Sequence, residues 1–206
     1  MNNTYLKQAL GAIRDGIKTL ASFGSALLDA GGMIVGVRHS KEPDYQLLST
    51  DGNIQIRLYP AILTAETLID ADYAASGSLG FKRLAGFIFG ENHSAQQMAM
   101  TVPVSRQAVD KQWLMSFVMP AAQTLETLPK PINPDIAIKE IPARKVAVLS
   151  YSGSLTLDSI THNSELLLNW LDSRQIQAVS EPRSAAYDPP WTLPQFRRNE
   201  IHIDIA

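Results

Sequence analysis

The sequence predicts an α+β domain built from two similar halves, with two helices lying against an antiparallel sheet of about eight strands that can curl into a barrel. Three observations carry this. From Tyr45 onward, short β-rich runs alternate with turn residues such as Asp51-Gly52 and Pro60. Two later segments place apolar side chains at helical spacing. The chain also matches itself at an offset of 82: Ile54, Ile56, Arg57, Pro60, Ala61 and Ala65 fall on Ile136, Ile138, Lys139, Pro142, Ala143 and Ala147, five identities and one conservative pair.

Taken in order, residues 4–29 carry Leu6, Leu10, Ile13, Ile17, Leu20, Leu27 and Leu28 on one helical face, with Lys7, Arg14, Asp15, Lys18 and Asp29 on the other. Gly11, Gly16 and Gly24 weaken this amphipathic helix, so it needs a surface to lie on: its own domain, a second subunit or a membrane interface. Residues 30–44, with Gly31, Gly32, Gly36 and Pro43, read as a linker. The division is therefore helix and linker over 1–42, then the domain proper over 43–206.

Each half then reads β, β, α, β, β. The first core helix is expected at Ser78 to Phe89, with Phe81, Leu84, Ala85 and Ile88 inward. The second is expected at Leu157 to Leu171, with Ile160, Leu167, Trp170 and Leu171 inward. At the same offset Leu84 meets Leu166 and Ile88 meets Trp170, so the repeat runs through the helices. The closing strand pairs are Met98 to Val104 with Trp113 to Met119, and Ser184 to Asp188 with Glu200 to Ile205.

Composition excludes several chemistries. Eighteen Lys and Arg against twenty Asp and Glu leave a net charge of −2, which does not favour a nucleic-acid partner. The absence of cysteine removes disulfides, thiolate nucleophiles, Cys-ligated zinc and iron–sulfur clusters. No apolar run is long enough to cross a bilayer as a helix. The N-terminus imitates a signal peptide only weakly, because Asp15 interrupts the basic stretch, and a cytoplasmic location is expected.

No catalytic or metal-binding pattern stands out. The four histidines, His39, His93, His162 and His202, show no paired ligand spacing. His202 alternates with Ile201 and Ile203 and shares a polar strand face with Glu200 and Asp204, which reads as surface. His93 follows Gly90-Glu91-Asn92 in a loop, where it is solvated or an axial ligand to haem iron. Tyr151-Ser152-Gly153 lacks the first glycine of a nucleophile elbow, and the glycines at 31, 32 and 36 spell neither a dinucleotide fingerprint nor a P-loop. Met98, Met100, Met115 and Met119 are core fillers or the pliable wall of an apolar site. A non-catalytic binder is the expectation.

Several strings, taken together, resemble the SOUL/haem-binding-protein family: Ile56-Arg57-Leu58-Tyr59-Pro60, Phe81-Lys82-Arg83-Leu84, Met100-Thr101-Val102-Pro103-Val104, Phe117-Val118-Met119-Pro120, Pro190-Trp191 and Arg197-Arg198-Asn199-Glu200. The resemblance covers Pro43 to Ile205. It implies a twisted, barrel-like sheet of pseudo-symmetric halves flanked by two helices. It also implies non-covalent binding of haem or another tetrapyrrole, a hydrophobic planar small molecule, in an apolar groove near the first core helix. Some members carry a histidine, proposed as haem ligand, after the Ile-Arg of the first strand; Leu58 stands there in this chain. The implied site is then apolar contact along Phe81, Leu84, Ala85 and Ile88, with propionates met by Arg57, Lys82 or Arg83. A competing expectation is a module of the same fold that senses effectors or binds proteins without haem.

Overall fold

The computed structural model describes residues 40–206, and the amphipathic helix expected at 4–29 lies outside the described residues. Nine strands and two helices follow in the order β1 (Gln46–Asp51), β2 (Ile54–Tyr59), β3 (Ile62–Ile69), α1 (Tyr73–Ile88), β4 (Val104–Val109), β5 (Gln112–Val118), β6 (Ala137–Ile141), β7 (Arg144–Tyr151), α2 (Leu157–Ser173), β8 (Arg183–Ala186) and β9 (Asn199–Ile205). All nine strands join one antiparallel sheet in the order β1-β2-β7-β9-β8-β4-β5-β3-β6.

That order states the repeat in three dimensions. Exchanging β2 with β6, β3 with β7, β4 with β8 and β5 with β9 reverses the list from β2 to β6 without changing it, so a pseudo-two-fold axis passes between β8 and β4. The halves are interlocked, because β2 of the first pairs with β7 of the second and β6 of the second pairs with β3 of the first. The ninth strand, β1, stands outside the repeat as an exposed edge hairpin closed by Gly52, whose φ of +58° suits glycine.

The first helix starts at Tyr73, five residues before the expected Ser78, because Asp72 caps it: its carboxylate accepts from Ala75 N at 2.8 Å. Glycines and serines in the first turns hide that start from apolar periodicity. One of them, Gly80, lets the helix press onto the sheet, since a Cβ there would sit 2.8 Å from Ile69 Cδ1 and 3.0 Å from Met115 Sδ. Leu84, Phe87 and Ile88 enter a core shared with Ala65, Ile69, Met115 and Phe117, and Ala85 is buried as well. Each fully buried side chain of the larger kind contributes about 1.5–3 kcal/mol. Phe81 does not turn inward as expected, being 44% exposed, and Phe87 occupies the core instead.

The second helix, capped by Thr156, buries Leu167 and Leu171 against Ala147, Leu149, Ile201 and Ile203, with Ile160 and Trp170 partly buried beside them. The strand expected at Met98 to Val104 is displaced: residues 98–103 are irregular and pairing begins at Val104. Pro103 has no N–H for a ladder, and Met98 N and Val102 N bond instead to Ile88 O and Lys41 O, at 2.8 and 3.0 Å. Met98, Met115 and Met119 are buried in the α1 core, with Met100 packed beside them, which is the core-filling reading.

Candidate functional site

Helix α1 packs across β3 and β5, and α2 across β7 and β9, so the central strands β4 and β8 run beneath the gap between them. Alternation along β4 directs Val104 and Arg106 to the helix side, because Val104 is paired with Phe117 and Arg106 with Met115, both core residues under α1. The exposed Phe81 leans over this strip, its ring 5.5 Å from that of Phe117. Lys82, the next residue, is exposed and forms no ion pair among the described residues.

Arg106 is the unexpected member of the groove. Its guanidinium lies 3.6 Å from the ring centre of Tyr73 and 5.6 Å from that of Trp113, and donates to Tyr73 O at 2.7 Å and Ser76 Oγ at 3.1 Å. Among the described residues no carboxylate reaches it, and burial holds its pKa below the usual arginine value. A half-buried cation under the first turn of a helix that exposes a phenylalanine about two turns later suits an apolar ligand that carries a carboxylate. The sequence offered one signal for it, the alternation of Val104, Arg106 and Ala108.

The other expected residues are dispersed. Leu84, Ala85 and Ile88 are core, at 0%, 7% and 1% exposure. Arg83 turns to the side of α1 away from the groove, donating to Thr67 Oγ1 and Leu68 O and pairing with Asp135 at 3.3 Å. His93 is exposed beyond the end of α1, its backbone N–H donating to Lys130 O. Leu58 is exposed on β2, with four strands between it and β5 in the sheet order. Arg57 also lies on β2 and points to the face opposite the helices.

On that opposite face Arg57, only 2% exposed, donates from Nη1 and Nη2 to the two oxygens of Glu200, each at 3.0 Å. Glu200 also accepts from Tyr187 Oη at 2.7 Å, Ser150 Oγ at 3.1 Å and Arg198 Nε at 3.0 Å, and His202 Nε2 lies 2.7 Å away. His202 is thus buried, not superficial. The alternation placed it on the right face, but β9 sits mid-sheet, with Arg57, Tyr59 and Tyr187 filling the space over its polar residues. Arg198 reaches on to Glu42 at 2.8 Å. The network is internally satisfied and offers no spare cation to a ligand on the helix side.

Among the described residues no group of three or more His, Cys, Asp or Glu is placed to hold a metal ion, and no helix is long and apolar enough to cross a membrane.

Comparison with solved structures shows the fold to be shared. The C-terminal domain of EcmrR aligns with a TM-score of 0.56 at 13% identity, covering 79% of this chain and 98% of that one. A hydrolase from Listeria innocua aligns at 0.53 and 10% identity, covering 77% and 94%. No curated protein matches the chain in sequence. The family model described as SOUL heme-binding protein matches residues 40–204, and on that match, together with the interlocked antiparallel halves, the chain belongs to the SOUL haem-binding family.

Proposed function

We propose that this chain binds haem or a related tetrapyrrole reversibly in the groove between α1 and α2, for transport, buffering or sensing and not for catalysis. One observation supports the placement: Arg106, without a carboxylate partner among the described residues, stands beneath the first turn of α1, and Phe81 is exposed about two turns further along the same helix. Phe81, backed by Phe117, would meet the flat macrocycle. Arg106 and Lys82 would meet its propionates, replacing the Arg57 of the sequence expectation, which is spent on Glu200. Among the described residues no histidine lies on this strip, so affinity would rest on apolar contact and carboxylate recognition, and iron ligation would add little.

The reading is tested by titrating the full chain with haemin and, in parallel, with metal-free protoporphyrin, following the Soret band and tryptophan emission. Trp113, beside Arg106, is within range to be quenched. Saturation near one equivalent by both compounds, with similar affinity, is expected. No saturable change with either one would overturn it.

A further inference from the structure

A cleft of about 710 Å³ opens between the Lys41–Asp44 segment, the turn from β2 to β3, and the loop that follows β5. Its walls include Pro43, Pro60, Leu63, Met119 and Leu125, the last 52% exposed. Its charged lining is lopsided: one cation, Lys41, against Glu42, Asp44, Glu126 and Glu140. Arg198 engages Glu42, while Asp44, Glu126 and Glu140 form no ion pair among the described residues. Such a rim repels the carboxylates of a tetrapyrrole and attracts an apolar surface flanked by cations.

The chain itself carries such a surface. Residues 1–39 hold four Lys and Arg (Lys7, Arg14, Lys18, Arg38) against two Asp, whereas the remainder holds 14 against 18. The stripe from Leu6 to Leu28 supplies the apolar side chains. Connection favours the same partner, because Lys41 to Asp44 form one wall of the cleft. Only residues 30–40 separate the stripe from that wall, a tether of at most about 40 Å when extended. A tether of that length keeps the local concentration of the segment in the millimolar range.

We propose that residues 4–29 dock back onto this cleft, inserting apolar side chains from the tethered end, such as Leu20, Leu27 and Leu28, while the net positive charge of residues 1–39 is drawn to the acidic rim. The cleft has room for a few side chains and not for a whole helix. The segment would cover an apolar surface of its own domain, leaving the helix-side groove open, and the inference does not depend on the tetrapyrrole reading.

The absence of cysteine makes a clean test possible. Ser22→Cys and Ala143→Cys, the latter at an exposed position two residues after Ile141, are spin-labelled in the full chain and their separation is measured by pulsed dipolar spectroscopy. Docking gives one narrow distance, unchanged when labelled chain is diluted with unlabelled chain. Adding Glu126→Lys and Glu140→Lys then broadens it. A broad distribution in the chain without the charge reversals would overturn the proposal. So would a narrow distance that disappears on dilution, which would make a second copy the occupant, or one indifferent to charge reversal.

Discussion

Arg57 on β2 and Glu200 on β9 meet across the intervening strand β7 through two 3.0 Å hydrogen bonds, with side-chain exposures of 3% and 0%. Each member of such a pair is tolerable only because the other is there. Breaking a buried pair by removing one partner costs about 3–5 kcal/mol, because an uncompensated charge is left behind. Glu200→Ala strands the guanidinium of Arg57 and leaves Arg198 with Glu42, and is expected to lose at least that much in urea denaturation. Arg57→Met leaves Glu200 with Arg198, Tyr187 and Ser150 and is expected to cost less. Equal losses from the two would contradict the hub role given to Glu200.

The same network sets the response to pH. Burial alone would raise the pKa of Glu200, but hydrogen bonds from His202 and Arg57 outweigh it and hold the carboxyl far below its ordinary 4.5. Burial depresses His202 below 6.5, so at neutral pH its ring is uncharged and donates Nε2–H to the ionised Glu200. Both folded-state values lie below the unfolded ones. Stability is therefore full above about pH 6.5 and falls as protons are taken up preferentially by the unfolded chain, first at histidine and then at the carboxylate. At the other end, burial pushes Tyr151 up to about 12 and Tyr187 well above 10, so stability falls again as pH rises through 10. Urea midpoints across the pH range should trace this plateau, and His202→Gln should flatten its acid shoulder between pH 5 and 7.

Gly80 offers a separate test of packing. A methyl group there meets Ile69 Cδ1 and Met115 Sδ at or below 3.0 Å, so α1 must lift or Met115 must change rotamer. Gly80→Ala is expected to destabilise by about 1–3 kcal/mol, the usual range for overpacking, despite the better helix propensity of alanine. A stabilised variant would mean that α1 does not sit this close to β3 and β5.

What the sequence disclosed and withheld follows from the range of the physics involved. The repeat was visible because Ile54 and Ile136, or Ala65 and Ala147, serve the same local roles in each half, and local roles leave local patterns. The exchange of β2 and β6 between halves was not visible, since register across the pseudo-dyad depends on pairings far apart in sequence. Alternation put His202 on the correct face of β9 but could not reveal that Arg57, more than a hundred residues earlier, closes that face. Helical spacing alone turns Phe81, Leu84, Ala85 and Ile88 all inward; the structure buries the last three and leaves Phe81 exposed. Nothing local in the sequence marks Arg106 as unpaired, because a cation is defined as unpaired only by what is absent around it in space.

The place of the ligand can be decided by two substitutions that act on opposite ends of the sheet. Phe81→Ala removes an exposed ring whose loss leaves Leu84, Phe87 and Ile88 in place, so folding should be little affected. It should weaken porphyrin binding about tenfold, equivalent to about 1.4 kcal/mol. Leu58→His introduces an imidazole on β2, with β7, β9, β8 and β4 between it and β5. If the macrocycle rests against α1, that imidazole cannot reach the iron, and the Soret maximum and affinity of the variant should match those of the unaltered chain. A red-shifted Soret band and tighter binding of haemin, but not of protoporphyrin, to the Leu58→His protein would instead put the ligand at β2 and remove Phe81 and Arg106 from the site.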